Sequence, residues 1–449
     1  MLPTDQAGRP DEKTAYRAQL LYFAAPPGPD VDDGSTVYVP DGLLIVEHGR
    51  IVQLGDYAAL SPGLEGLPVV DWRGKLIVPG FIDTHVHYPQ TDIIASPAPG
   101  LLSWLDTYTF PAERRFEDPA YAADVARFFL DELLRSGTTT ALVYCTVHPG
   151  SADAFFAESH ARNVRMVAGK VLMDRNCPGY LQDTAESGAR DSEALIQRWH
   201  GQGRQMYGLT PRFAPTSTPA QLALCGELAQ RYPDVFIQSH VAENTQEVAW
   251  AMALFPGHRS YLDIYDQFGL LRPRAVYGHC IWLDEHDRRR MGEAGALAAH
   301  CPTSNLFLGS GLFDFAAAEA SRMPVALASD VGGGTSLSML QTMAAAHNVA
   351  RMNGHHLSGH SLFYLATEGA ARGLDLGGRI GTLAPGAEAD FIVLDPQATP
   401  LLARRTARAE SLEEVLFALI MLGDDRAVAA AYSAGRLLHA RDGSPARGQ

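Results

Sequence analysis

The sequence predicts an α/β protein, a (β/α)8 TIM-like barrel with a small β-sandwich domain built from both chain ends. Three observations carry this. Apolar strand-like runs alternate with amphipathic helical windows through the middle of the chain, as in βα units on a parallel sheet. Eight such runs span ~300 residues, within the size of a barrel with long loops. Both ends instead show short alternating runs broken by turn residues.

At the N-terminal end, Ala18–Phe23, Leu43–Glu47 and Arg50–Leu54 read as strands, with Pro26–Pro29 and Asp32–Gly34 as punctuation. The expected barrel strands begin with Leu76–Ile82, Thr140–Tyr144, Val164–Leu172 and Tyr207–Phe213. Val235–Ser239, Ala275–Gly278, Ala296–His300 and Val325–Ser329 complete the eight. Helical windows such as Tyr121–Arg135, Ala220–Arg231 and Thr245–Leu254 lie between them. Beyond the turn-rich Gly381–Gly386, strands return at Asp390–Leu394 and Val428–Leu438. The expected division is residues 1–75 and 377–449 for the composite β domain and 76–376 for the barrel. No repeat of fixed period and no low-complexity tract interrupts this plan.

Composition narrows the classes of function. The 449 residues carry 36 Lys+Arg against 51 Asp+Glu, a formal charge of −15. An acidic surface repels polyphosphate, and no Lys/Arg cluster offsets it, so a nucleic-acid partner is not expected. The five cysteines (Cys145, Cys177, Cys225, Cys280 and Cys301) are scattered and never spaced C-x-x-C. That pattern fits reduced thiols in a cytosolic protein rather than a disulfide framework. The polar N-terminal stretch lacks a signal-peptide core, and no run approaches 18 apolar residues. A soluble cytoplasmic protein with no membrane partner is expected.

The chemistry-bearing residues follow the strands. The first barrel strand runs into Asp83-Thr84-His85-Val86-His87, and residues two apart in an extended segment share a face. The fifth runs into His240, the sixth into His279 and the eighth into Asp330. All sit at strand C-terminal ends, the face on which barrel active sites are built. Several imidazoles with one carboxylate suit a borderline divalent ion, Zn²⁺ first and Fe²⁺ second. Such an ion lowers the pKa of bound water, which then needs a base and an acid. Asp330 is the natural base. Glu243, three residues beyond His240, is the candidate proton shuttle, or else a solvated carboxylate capping the helix that starts near Asn244. No H-x-E, P-loop, G-x-G-x-x-G or G-x-S-x-G pattern occurs, which sets aside cytidine-deaminase-type, phosphate-loop, dinucleotide and serine-hydrolase chemistry.

With these residues in place, the chain resembles the amidohydrolase superfamily and, within it, the guanine deaminase family. The superfamily marks are Pro79-Gly80-Phe81-Ile82-Asp83-Thr84-His85-Val86-His87, Gly381-Thr382-Leu383-Ala384-Pro385-Gly386 and Ala389-Asp390-Phe391-Ile392-Val393-Leu394-Asp395. The narrower resemblance rests on Pro89-Gln90, on 104–113 (from Trp104 to Glu113), on Gly137-Thr138-Thr139-Thr140 and on Thr210-Pro211-Arg212-Phe213. It continues in Gln238-Ser239-His240-Val241-Ala242-Glu243-Asn244, His300-Cys301-Pro302-Thr303-Ser304-Asn305-Leu306 and Leu422-Gly423-Asp424-Asp425-Arg426. It runs from about residue 76 to 435.

The resemblance implies hydrolytic removal of the 2-amino group of guanine, a free purine base, giving xanthine and ammonia. It implies one Zn²⁺ per subunit in an environment of His85, His87, His240, His279 and Asp330. Glu243, Asp330 and His279 would be catalytic, and a homodimer is implied. Gln90, Arg212 and Phe213 would read the base, with His87, His240, Glu243 and Asp330 also lining its site. An oxopurine edge suits an amide and a guanidinium, and a phenyl ring can cover its face. Another deaminase or chlorohydrolase of a related N-heterocycle stays open. A non-catalytic scaffold is disfavoured because every ligand and Glu243 are present. Lys170 lies inside a strand rather than at its end and reads as structural, which favours one metal over two. Tyr88 stands where a small residue is common and is expected to narrow the pocket mouth. Trp104 reads equally as a lid, interface or core residue, and His300 as a neighbour of the metal or merely near it.

Overall fold

Burial along the strands separates two architectures. A computed structural model of the chain describes residues 13–28, 34–64, 66–443 and 447–448. Pro29, Asp32 and Asp33, expected as turn punctuation, and most of the polar N-terminal stretch lie outside these residues. The first four strands are β1 (Thr14–Phe23), β2 (Thr36–Glu47), β3 (Arg50–Asp56) and β4 (Val69–Pro79). They mix buried and exposed positions, as strands with one covered face do. The next set is buried at nearly every residue, as strands covered on both faces must be. It comprises β5 (Phe81–His87), β6 (Thr138–Tyr144), β7 (Arg165–Gly169), the short β8 (Val171–Leu172), β9 (Gln205–Pro211), β10 (Phe236–Val241), β11 (Ala275–His279), β12 (Leu297–His300) and β13 (Val325–Leu327). Then come β14 (Phe391–Leu394), β15 (Val428–Ser433), β16 (Arg436–Ala440) and β17 (Arg447–Gly448).

The buried set forms a parallel barrel in the order β5-β6-β7-β9-β10-β11-β12-β13, with β8 beside β9. The remaining strands make one eight-stranded sheet in the order β16-β15-β14-β4-β1-β2-β3, with β17 on β4. Both chain ends contribute to it. Its inner face closes over Tyr16, Phe391 and Tyr432, whose ring centroids lie 4.4–5.2 Å apart. Helices such as Pro119–Arg135 cover the barrel, its Asp118 side chain accepting from the Ala120 N–H and its Val125, Phe129 and Leu133 turned into the core.

Three expected strands differ in the structure, one of them Val164–Leu172, which breaks at Lys170 into β7 and β8. Leu76–Ile82 divides: Leu76–Pro79 end β4, paired with β1 and β14, and the first barrel strand starts at Phe81. The apolar run is continuous because β4 passes between two cores, so hydrophobicity marks no break and β4 crosses the expected boundary at residues 75/76. Val428–Leu438 is a hairpin, with Ala434 (φ 46°) and Gly435 (φ 72°) forming a tight turn.

Among the described residues β5 and β13 share no ladder, and side chains close the barrel between them. The buried Asp83 carboxylate accepts from the Ser329 N–H (3.0 Å), the Ser329 hydroxyl and the His85 N–H (3.3 Å). Backbone bonds run from Asp330 N–H to the His85 carbonyl (2.9 Å) and from His87 N–H to the Val331 carbonyl (2.7 Å). At the opposite end of the barrel, Glu388 accepts from Arg165 at the start of β7, from Arg204 just before β9 and from Arg379 (2.8 Å). Arg204 also pairs with Asp390. This buried cluster ties the β sheet to the barrel.

Burial alone would raise the Glu388 carboxyl, but Arg204, Arg165 and Arg379 hold it at about 2. A folded pKa below the unfolded value (about 4.3) contributes stability that is fully present above that value and disappears as pH falls toward 2. Glu388→Gln should therefore lower the Tm most above pH 5, and its deficit relative to wild type should shrink steadily between pH 4.5 and 2.5. Thermal melts across that range, with a constant deficit, would contradict the linkage.

Candidate active site

One extra residue in β5, between Asp83 and Val86, shifts its register against β6. Such a bulge re-aims the following side chains, and both His85 and His87 point into the barrel mouth. Their Nε2 atoms lie 3.2 Å apart. His240 at the end of β10 brings its Nε2 to 3.1 Å from His85 and 3.3 Å from His87. Asp330 Oδ1 stands 3.3 Å from both His85 and His87 Nε2. His279 Nε2 is 3.6 Å from Asp330 Oδ2 and 3.4 Å from Glu243 Oε2. It therefore sits at the side of the cluster that faces Glu243. A Cβ at Gly278 would come within 2.6 Å of the His85 ring, so glycine makes room for that imidazole.

The donor set fits a tetrahedral divalent ion. His240 Nδ1 lies 2.6 Å from the Arg212 carbonyl, which only accepts, so that nitrogen carries the proton and Nε2 presents its lone pair. Burial holds His240 well below its ordinary pKa, and burial likewise takes His87 down to about 3. Neutral imidazoles with lone pairs converging at such distances repel unless a cation lies among them. Ligand atoms at ~2.0–2.1 Å from a tetrahedral ion lie about 3.4 Å from one another, close to the spacings observed. His85, His87, His240 and Asp330 form one group of possible ligands, and His85, His279, Cys301 and Asp330 an overlapping one. His279 is fixed by Asn305, whose Oδ1 lies 2.8 Å from Nδ1.

Two carboxylates beside the cluster are driven apart. Asp330, despite its burial, is held well below the usual range by the imidazoles of His85 and His87, which face it at 3.3 Å. Burial, reinforced by the Asp330 charge, pushes Glu243 up to about 8, against a hydrogen bond from Ser310 (2.8 Å). One group is thus a base and the other an acid at neutral pH. Glu243 is not a solvated helix cap. That task falls to Asn244 and Glu247, which form a capping box, and Glu247 also accepts from the Glu243 N–H at 2.9 Å.

A cavity with an empty volume of about 420 Å³ joins this cluster to the expected base-reading residues. Gln90, Arg212 and Phe213 line it, with Trp104 and Leu308 on its apolar side. Phe213 meets Trp250 edge-on (5.9 Å, 75°). Arg212 places Nη1 2.9 Å from each oxygen of Glu113, and Gln90 Nε2 donates to the same carboxylate (3.2 Å). Gln90 Oε1 accepts from the Gly332 N–H, where a Cβ would press on Gln90 at 2.8–2.9 Å.

Other expectations resolve differently. Tyr88 does not narrow the mouth: it is fully buried, donates to the Ser151 carbonyl (2.7 Å) and packs edge-on against Phe116. Aromatic neighbours from the following helices consume its ring. Trp104 lines the cavity and packs with Leu101, Leu105 and Phe213. His300 is stacked on Phe313 (4.6 Å) with neither nitrogen partnered, and it lies outside both ligand groups. Lys170 does not lie inside a strand: it falls in the break between β7, which ends at Gly169, and β8, and it pairs with Asp183 at 2.6 Å and belongs to neither ligand group. Sequence reasoning missed Glu113, Asn305 and Ser310 as individuals. Glu113 and Asn305 lay within stretches that carry the family resemblance, and Glu247 had the capping-box spacing Asn244-Thr245-Gln246-Glu247.

The chain belongs to the amidohydrolase family, whose model matches residues 76–438. Within that family it belongs with the guanine deaminases. It is 47% identical to guanine deaminase of Escherichia coli (strain K12) over 90% of this chain and 92% of that protein. The solved structure of E. coli guanine deaminase superposes with a TM-score of 0.93 at 45% identity, covering 95% of this chain and 100% of the other. That of guanine deaminase from Bradyrhizobium japonicum gives 0.92 at 33% identity, covering 96% and 100%. The chain is therefore a hydrolytic enzyme of a metal-dependent family.

Removing one converging nitrogen should empty the centre. In His85→Ala, metal by elemental analysis should fall well below the about one ion per chain of a mononuclear site, with the far-ultraviolet dichroism unchanged. Full metal content in that variant would place the ion elsewhere.

Proposed function

We propose that this chain catalyses the hydrolytic deamination of guanine to xanthine and ammonia with one Zn²⁺ per subunit. One observation carries the reading above all: the buried Arg212–Gln90 pair faces the same cavity as the imidazole cluster and the high-pKa Glu243. A guanidinium and an amide read an oxopurine edge, and the acid stands at the reacting end.

His85, His87, His240 and Asp330 would hold the ion, with His279 beside them. When bound, it supplies the Lewis acidity that makes water a nucleophile near neutral pH. Arg212 and Gln90 fix the base by its oxo edge, while Phe213 covers the ring. Asp330, ionised, accepts a proton from the water whose oxygen bonds to C2. Glu243 enters protonated and gives its proton to the ring nitrogen beside C2, so that no full charge develops on the ring. Asp330 returns its proton to the exocyclic amine, the C2–N bond breaks, and ammonia leaves. The remaining hydroxyl proton goes back to Glu243 as the new carbonyl forms, which restores both carboxyl groups. His279, between Asp330 and Glu243, orients the two.

The imidazole–carboxylate donor set supports Zn²⁺ over softer or purely oxygen-bound ions. We also read the protein as a cytoplasmic homodimer. The five cysteines are unpaired, and a two-fold dimer is the commonest soluble assembly. No helix among the described residues is long and apolar enough to cross a membrane.

The direct test is guanine-to-xanthine conversion followed by ultraviolet absorbance, with and without chelator. Turnover should be lost on chelation and return with Zn²⁺. Failure of the untreated enzyme to release ammonia from guanine would reject the reading. Glu243→Gln should keep its metal yet lose about a hundredfold or more in kcat. Wild-type turnover in that variant would remove Glu243 from the proton path.

A further inference from the structure

The helical excursion between β5 and the helix Pro119–Arg135 carries a carboxylate that the reaction does not use. Glu113 sits in the short helix Phe110–Arg114, directly after a π-helical turn at Leu105–Thr109, and is fully buried. Single π-helical turns are rare and occur frequently at functional sites. Among the described residues its two oxygens meet only the expected base-reading residues, Arg212 Nη1 at 2.9 Å each and Gln90 Nε2 at 3.2 Å.

We propose that Glu113 is the positioning residue that presents Arg212 and Gln90 to the oxo edge of the substrate. The inference rests on the guanine reading above and deepens it. Glu113 engages Nη1 of Arg212, and among the described residues no hydrogen bond engages Nη2 or Nε, so the outer edge of the fork stays free for a ligand. Its grip on Nε2 of Gln90, together with the Gly332 N–H on Oε1, permits only one orientation of that amide. One N–H and one oxygen lone pair then remain for the base. The carboxylate also neutralises a guanidinium that would otherwise be buried alone. Because Glu113 arrives on the excursion that also brings Trp104 and Leu105 to the cavity wall, it ties that wall to the strand end that holds His240.

The test uses the metal-loaded enzyme. Glu113→Gln, which keeps the shape but not the charge, should raise the KM for guanine roughly ten- to a hundredfold, the range expected for losing a charge-assisted pair. Binding of xanthine, measured by calorimetry, should weaken in parallel, with metal content at the wild-type level. Glu113→Asp should recover part of the loss. In the Arg212→Met background, Glu113→Gln should add little further, because both changes disable the same contact. A structural role predicts the reverse: a lower Tm, unchanged KM in the folded fraction, and additive effects in the double variant. If Glu113→Gln does not fold, Glu113→Asp carries the same comparison. An unchanged KM with full metal overturns the proposal while leaving guanine deamination intact. A wild-type enzyme inactive on guanine overturns the reading beneath it.

Discussion

The arrangement depends most on a single carboxylate at the barrel's seam. β13 ends at Leu327 without a ladder to β5, and Asp83 closes the ring of strands there together with the two backbone bonds from Asp330 and His87. Asp83 takes the place of a ladder by accepting from both the N–H and the hydroxyl of Ser329, and from the N–H of His85. That bond set brings Asp330, the next residue, against His85 and His87. Burial raises Asp83 to about 6, the cost of putting a charge where no water reaches, and the three donors oppose it. Closure of the barrel and assembly of the candidate metal site are therefore one event.

The barrel mouth also holds backbone conformations that would not persist alone. His279 (φ 72°), Asp330 (φ 49°) and Ala242 (φ 52°) all occupy the left-handed region. Each such residue costs on the order of 1–3 kcal/mol. All three sit at or within three residues of the C-terminal end of a barrel strand, where the chain must turn sharply so that a side chain faces the mouth rather than the next helix. The surrounding hydrogen bonds hold them there: Asp330 N–H to His85, Cys280 N–H to the Val241 carbonyl, and Trp282 N–H to the Ala242 carbonyl.

Much of this was legible in the sequence, for identifiable reasons. Parallel strands buried on both faces leave unbroken apolar runs, and a histidine or aspartate ending such a run stands out. His85, His87, His240, His279 and Asp330 were readable on that ground alone. What escaped was whatever depends on contact between distant segments. Glu113 looks like an ordinary helical carboxylate until Arg212, 99 positions away, is seen against it. Tyr88 looked like a pocket residue because it follows His87, but a 3-10 turn carries its side chain outward to Phe116 and Ser151. The β4–β5 junction was missed because burial continues across it even though the strand changes sheets.

The buried carboxylates divide into two kinds by what surrounds them. Glu113 and Glu388 are each faced by guanidinium groups, so their charge is matched and they serve as fixed struts, one behind Arg212 and Gln90 and one between the two sheets. Glu243 has only a serine hydroxyl and an imidazole, with the Asp330 charge nearby, so its proton is retained near neutral pH. In the proposed reaction the same residue type thus positions a neighbour or transfers a proton according to whether an arginine is within reach. This explains why Arg212 hydrogen-bonds Glu113 rather than Glu243. A guanidinium against Glu243 would stabilise the carboxylate and remove the acid that, in the proposed reaction, protonates the ring nitrogen.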